Sequence, residues 1–117
     1  MPYVDGFVLA VPKANLEAYR EVARKAGEVW MEHGALSYVE CAGDDTPVGE
    51  LTSFPRAVLA KDDEVVVFSW ITYGSKAARD EINAKVMAEP RLKQDAASMP
   101  FDGKRMIYGG FTSIVEM

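Results

Sequence analysis

The segment from Glu64 to Tyr73 limits the fold more than any other stretch of this sequence. It is rich in β-branched and aromatic residues, which favours a strand over a helix. Its large apolar residues are Val65, Val66, Val67, Phe68, Trp70 and Ile71. Successive side chains of a strand point to opposite faces, so both faces of this strand carry large apolar groups. Neither face is suited to water.

Around this strand the pattern predicts the order strand, helix, strand, strand, helix, strand. The predicted strands are residues 3–11, 35–42, 64–73 and 104–116, and the predicted helices are residues 13–33 and a segment capped by Ser75 that runs to about Ala88. Apolar residues recur at spacings of three and four in the first helix, and Gly34 follows its last turn. Ser75 is a typical helix N-cap.

The connecting segments contain prolines and glycines, which favour irregular structure. Residues 43–49 are expected to form a surface loop. Residues 51–60 are predicted to be an extended edge strand or an ordered loop, because Pro55 cannot donate a hydrogen bond to a sheet. Residues 91–97 are expected to form a short irregular helix after Pro90.

This order of elements predicts an α+β, ferredoxin-like βαββαβ fold in a single domain, residues 1–117. Right-handed crossovers give one antiparallel sheet with the strand order four, one, three, two, and both helices on one face. The other face is then bare and apolar, which predicts a homodimer. Two such sheets facing each other form a dimeric α/β barrel, and the long last strand could reach the other subunit.

Composition narrows the class of function. The chain has 117 residues, with 18 acidic and 13 basic side chains and a net charge of -5, which disfavours binding to nucleic acid. We expect no membrane segment, because no apolar run approaches the roughly 20 residues needed to span a bilayer. The start of the chain lacks a basic leader, so a cytoplasmic location is expected. Cys41, the single cysteine, is predicted to be a buried small hydrophobe.

The segment from Met99 to Phe111 places Lys104 and Arg105 directly after an Asp102-Gly103 turn, at the start of an apolar strand. With Arg56, Arg105 could form a cationic site for a carboxylate or a phosphate, and Tyr108 could add a hydroxyl. We also consider Trp70 a candidate ligand contact. The alternative is that Lys104 and Arg105 are strand-end charges paired with Asp102 or Glu116.

Two further residues are candidates for proton transfer, as is Tyr108. Asp5 lies inside the first strand, where an unpaired carboxylate would be costly to bury. The predicted strand order puts it far from Arg105, so its expected partner is Tyr73 or an arginine of the other subunit. His33, the single histidine, could be a general base or a haem ligand. Its alternative role is a capping histidine at the end of the first helix.

Four pieces of the chain resemble one family, the YbaA-like bacterial family: Tyr3-Val4-Asp5-Gly6-Phe7, Thr52-Ser53-Phe54-Pro55-Arg56-Ala57, Val66-Val67-Phe68-Ser69-Trp70 and Ser98 through Phe111. The resemblance covers essentially the whole chain. It implies a ferredoxin-like fold of the dimeric α/β barrel type. The family is catalogued as a domain of unknown function, so the resemblance brings no catalytic residue with it.

The favoured hypothesis is a homodimer that binds a small apolar or aromatic molecule in a pocket between sheet and helices, without turnover. The alternative is a cofactor-independent oxygenase or isomerase that uses Asp5, His33 or Tyr108 for proton transfer. We expect no cofactor and no metal site. Gly109-Gly110 lacks the further residues of a phosphate loop and indicates close packing instead.

Overall fold

The computed structural model describes residues 2–93 and 98–117. Its strands are β1 (Tyr3–Pro12), β2 (Ser37–Ala42), β3 (Glu64–Tyr73) and β4 (Ile107–Thr112), and its α-helices are α1 (Leu16–Glu32), α2 (Phe54–Ala57) and α3 (Lys76–Met87). Short 3-10 turns occupy Lys13–Asn15, Pro90–Leu92 and Gly103–Arg105. No helix among the described residues is long and apolar enough to cross a membrane.

The four strands form one antiparallel sheet with the order β2-β3-β1-β4, as predicted. The register places Phe7 of β1 opposite Ser69 of β3 and Tyr108 of β4, and Ser69 opposite Glu40 of β2. Directly opposite residues share a face, so these four side chains form a row across one side of the sheet. Their neighbours, including Trp70, lie on the other side.

Helices α1 and α3 cover the face that carries this row. One cluster of buried residues joins both helices to the end of β3, and its members are Val29, Ala35, Ile71, Tyr73, Ile82 and Val86. A second cluster joins α1 to the middle of the sheet, with Leu9, Val11, Tyr19, Ala23 and Val67. The Ser75 side chain accepts a hydrogen bond of 3.1 Å from the Ala78 amide, which confirms the predicted N-cap of α3.

Of the two alternatives for residues 51–60, the extended edge strand is wrong, because the segment is irregular apart from the short helix α2. The Ser53 hydroxyl accepts a hydrogen bond of 3.1 Å from the Arg56 amide, and Pro55 lies in the first turn, where its missing N–H costs nothing. Val58, directly after α2, packs on Ala10 and Val66. This segment therefore covers one end of the sheet face opposite α1 and α3.

The last strand is shorter than predicted. Residues 104–106 are not part of it, because the Asp102 side chain accepts a 3.0 Å hydrogen bond from the Lys104 amide and a 3-10 turn follows. Strand β4 ends at Thr112, opposite Tyr3. The apolar residues Ile114 and Val115 after it are 87% and 75% exposed.

Two smaller predictions, on the burial of Cys41 and on a helix over residues 91–97, differ from the structure or reach beyond its described residues. Cys41 is exposed and not buried, since it lies on the edge strand β2 and points to the face away from the helices. Of the short helix expected over residues 91–97, a 3-10 turn is present at Pro90–Leu92. Residues 94–97 lie outside the described residues.

Candidate functional site

Asp5 lies in a buried network at one end of the helix-covered face. It is 6% exposed, and its Oδ2 accepts a 3.0 Å hydrogen bond from the Tyr73 hydroxyl, which confirms Tyr73 as its partner. The arginine that pairs with it comes from the same chain, since Arg79 Nη1 lies 3.4 Å from Asp5 Oδ1. Trp30 Nε1 donates to the Tyr73 oxygen at 3.1 Å. The carboxylate is thus paired and hydrogen-bonded, as a buried charge must be.

Of this network, only Trp30 lines one of the two cavities described below. Asp5, Tyr73 and Arg79 are absent from the walls of both cavities described below. Burial and then the Asp5 carboxylate raise the pKa of Tyr73, so its hydroxyl stays protonated and keeps donating. Asp5 is therefore placed to stabilise the fold.

Arg105 is committed to a bidentate ion pair with Glu64. Its Nη1 and Nη2 donate to the two carboxylate oxygens at 2.8 and 2.7 Å, and its Nε donates to Asp102 at 3.1 Å. The ion pair with Asp102 is one that the sequence predicted as the alternative to a cationic site. The ion pair with Glu64 was not predicted. Hydrogen bonds from Arg105 lower the pKa of the Glu64 carboxyl to about 2. All three guanidinium nitrogens donate hydrogen bonds to acceptors of the same chain, and none of these acceptors is Asp5.

Arg56 hydrogen-bonds to backbone carbonyls of the loop before α2, and Lys104 lies on the surface. Arg56 donates from Nε to the Val48 carbonyl at 2.9 Å and from Nη2 to the Gly49 carbonyl at 3.0 Å, which pins the loop before α2. Lys104 is exposed and lies in the 3-10 turn before β4. The binding of a ligand by Arg56 or Arg105 stays a prediction.

His33 is the C-cap residue of α1, at the end of the first helix as predicted. Its backbone amide donates to the Val29 carbonyl at 3.1 Å, and its Nε2 lies 3.8 Å from Glu89 Oε2, too far for a hydrogen bond. Glu89 and Glu32 both pair with Arg91 on the surface. His33 lines neither cavity described below, and its surroundings are those of the capping alternative.

Trp70 borders a depression of about 720 Å³ on the sheet face opposite α1 and α3. We call this face the open face; its apolar side chains are Val4, Val8, Val39, Phe68, Trp70, Ile107 and Phe111. Tyr108, whose side chain the register assigns to the helix-covered face, borders the same depression from the edge strand β4. It is 73% exposed, with its ring 6.4 Å from that of Phe7. Gly110 admits the Tyr3 ring of the same chain, so the close packing predicted for the glycine pair is intramolecular.

A cavity of about 190 Å³ lies between the sheet and α1, and we call it the inner cavity. Its wall is mainly apolar and aromatic, with Phe7, Leu9, Tyr19, Val22, Ala23, Ala26, Trp30, Tyr38, Ile71, Met99, Phe101 and Met106. Two polar residues of the sheet, Glu40 and Ser69, interrupt this wall. They lie directly opposite each other on neighbouring strands.

Glu40 is held at the inner cavity by two tyrosines. The Tyr19 hydroxyl donates to Oε1 at 2.6 Å, and the Tyr38 hydroxyl donates to Oε2 at 2.7 Å. Burial, together with the Glu40 carboxylate, raises the pKa of both tyrosines, so both hydroxyls remain protonated donors. The result is a carboxylate of fixed orientation beside an apolar space. None of the residues proposed from the sequence belongs to this trio.

The same trio also lines a surface groove of about 420 Å³ between α1 and β2. Arg20, Arg24 and Glu28 of α1 form part of its wall. Helix α1 approaches β2 closely because residue 27 is glycine: a Cβ at that position would lie 2.8 Å from Tyr38 Cδ1. Glu40 is thus reached from the groove outside and from the inner cavity.

Comparison with known proteins identifies relatives over the full length. Residues 2–103 match the family described as "Protein of unknown function (DUF1428)". The uncharacterized protein YbaA of Escherichia coli strain K12 is 57% identical over 116 residues, which cover 99% of each chain, and the same values hold for YbaA of Shigella flexneri. A de novo designed protein, Foldit4, overlaps 99% of this chain and 100% of its own, with 13% identity and a TM-score of 0.47. The chain belongs to the DUF1428 family, whose function is unknown and which includes YbaA.

Proposed function

We propose that this protein binds a small apolar or aromatic molecule in the inner cavity and does not turn it over. The observation that carries the proposal is the cavity itself, about 190 Å³ of mainly apolar wall between the sheet and α1. An apolar cavity of about 150 Å³ is large enough to hold benzene. The dimensions therefore suit a single ring with small substituents.

Binding without turnover is favoured over catalysis by the places of the candidate catalytic residues. Asp5, His33 and Tyr108 are all absent from the wall of the inner cavity. Asp5 is engaged by Tyr73 and Arg79, and Tyr108 lies at the opposite edge of the sheet from Glu40. A proton-transfer group must reach the substrate within hydrogen-bond distance.

The test is a titration with 1,4-dimethylbenzene, followed by the fluorescence of Trp30 in the cavity wall. We expect a saturable change in the native protein and its loss in Ala26→Leu, which fills the cavity. Ala18→Leu is the matched control, since Ala18 is exposed on the same helix and outside the cavity. Absence of saturable binding of both 1,4-dimethylbenzene and 4-methylphenol to the native protein would refute the proposal.

We also propose that the protein is a homodimer joined through the open face as an α/β barrel. Phe68, Ile107 and Phe111 on this face are 42%, 45% and 62% exposed, an unusual amount of apolar surface for one side of a sheet. Glu64 is the one carboxylate that the register puts on this face, and it is paired with Arg105. A face without free charge suits a second copy of itself better than a charged partner.

Sedimentation at micromolar concentration tests the dimer. We expect twice the chain mass of 12.9 kDa for the native protein. Phe111→Asp, on the open face, should sediment as a monomer, whereas Leu51→Asp, at an 84% exposed site off the sheet, should stay dimeric. A native mass near 12.9 kDa would contradict the proposal.

A further inference from the structure

We infer that the molecule bound in the inner cavity is a monocyclic phenol whose hydroxyl donates a hydrogen bond to Glu40. This inference rests on the proposed binding function and specifies the chemistry of its ligand. It depends on three features of the cavity: the free acceptor sites of Glu40, the position of Ser69 and the aromatic wall.

The Glu40 carboxylate retains acceptor capacity beyond the two hydrogen bonds that the described residues donate to it. A carboxylate offers about four lone-pair sites. The Tyr19 and Tyr38 hydroxyls occupy one site on each oxygen, at 2.6 and 2.7 Å. These two donors also fix the orientation of the carboxylate, so a ligand donor that arrives meets a preorganised acceptor.

Ser69 places a second polar group beside this acceptor. It is 5% exposed, it lines the inner cavity, and it lies directly opposite Glu40 in the sheet. Paired residues of this kind have Cβ atoms about 4.5–5.5 Å apart. A ligand hydroxyl between them can donate to Glu40 and accept from Ser69, which uses both functions of one O–H group.

The remaining wall favours an aromatic ring. Two ring pairs border the space: Trp30 and Tyr38, with centroids 6.0 Å apart, and Tyr19 and Phe101, with centroids 5.5 Å apart and nearly perpendicular planes. Aromatic rings in such surroundings gain edge-to-face and offset contacts beyond the area they bury. An anionic ligand would instead place a second negative charge beside Glu40 in a mostly apolar space.

The experiment compares two probes of nearly equal shape, 4-methylphenol and 1,4-dimethylbenzene, which differ in one hydroxyl and one methyl group. We expect 4-methylphenol to bind the native protein about 10-fold more tightly, the effect of one hydrogen bond to a charged acceptor. Glu40→Gln keeps the side-chain shape and removes the charge. Glu40→Gln should abolish most of the preference for 4-methylphenol. Its affinity for 1,4-dimethylbenzene, which donates no hydrogen bond, should match that of the native protein and so serves as the check that the cavity is intact.

Tyr38→Phe is the second variant, because it removes a donor from Glu40 and leaves the carboxylate. It should keep the preference for the phenol. Equal affinities of the two probes for the native protein would overturn the phenol inference and leave the binding function standing. Loss of the preference in Tyr38→Phe to the same extent as in Glu40→Gln would also overturn it. Failure of both probes to bind would instead reject the binding function itself.

Discussion

Arg105 and Glu64 form a bidentate ion pair, with the two Nη nitrogens 2.8 and 2.7 Å from the two carboxylate oxygens. The side chains are 15% and 3% exposed, respectively. The pair joins the turn before β4 to the first residue of β3, 41 positions away in the chain. A basic residue that looked like part of a binding site thus stabilises the fold.

Replacing Arg105 with alanine should lower the free energy of unfolding by about 2–3 kcal/mol at pH 7, because hydrogen bonds to a poorly exposed charge are lost and Glu64 remains unpaired. Urea denaturation measures the change. Arg20→Ala is the matched control, since Arg20 forms an exposed pair with Glu17 at 3.4 Å. It should change stability by less than about 0.5 kcal/mol, and a similar effect of both variants would argue against a structural role specific to Arg105.

The same pair predicts a dependence of stability on pH. Hydrogen bonds from Arg105 lower the pKa of Glu64 from its ordinary value of 4.5 to about 2 in the folded protein. A carboxyl whose folded pKa is lowered stabilises the protein fully above the unfolded pKa, and this contribution is lost as the pH falls from about 4.5 towards 2. Urea denaturation at pH 7, 4.5 and 3 should therefore show the difference between native protein and Arg105→Ala shrinking with acidity. A difference that stays constant would exclude this linkage.

Gly27→Ala should destabilise the protein although alanine is the better helix former. The added methyl group would lie 2.8 Å from the Tyr38 ring, and such overpacking costs about 1–3 kcal/mol, against about 1 kcal/mol gained from helix propensity. We expect a net loss of about 1 kcal/mol in thermal or urea unfolding. At Gly74 a Cβ would meet no atom within 4 Å, so Gly74→Ala should be nearly neutral. Equal effects would show that helix α1 can move away from β2.

Tyr73→Phe removes one hydroxyl from the buried network around Asp5. We expect a loss of about 1–2 kcal/mol in the free energy of unfolding, since Asp5 Oδ2 loses its 3.0 Å donor. Tyr108→Phe removes a hydroxyl from a side chain that is 73% exposed and should have little effect. If Asp5 instead serves binding, Tyr73→Phe will leave stability unchanged and alter the affinity for 4-methylphenol.

The strand order was predictable because its signals are local and agree with one another. The strand at residues 64–73 has apolar side chains on both faces, so it is expected inside the sheet and not at its edge. The order of strands and helices before and after it allows few strand orders. The helix at Phe54–Ala57 was missed although its signal is present. Ser53 and Pro55 form a typical helix start, but Pro55 was interpreted as a feature of a strand edge.

The candidate site was not predictable in the same way. Glu40 sits in the alternating stretch Tyr38-Val39-Glu40, where a charged residue is ordinarily on the solvent side. Its partner Tyr19 is 21 positions away and belongs to a helix. One clue existed: if Tyr38 faces the helices, Glu40 must face them too, and a carboxylate there needs donors.

Ser69 and Trp70 are adjacent in the chain but belong to different sides of the sheet. Ser69 lines the inner cavity, and Trp70 borders the depression on the open face. Substitutions at neighbouring codons should therefore act on separate features, the proposed ligand site at Ser69 and the proposed dimer face at Trp70. If both proposals hold, a change on one side of β3 can alter binding without altering assembly, and evolution can adjust the two traits independently.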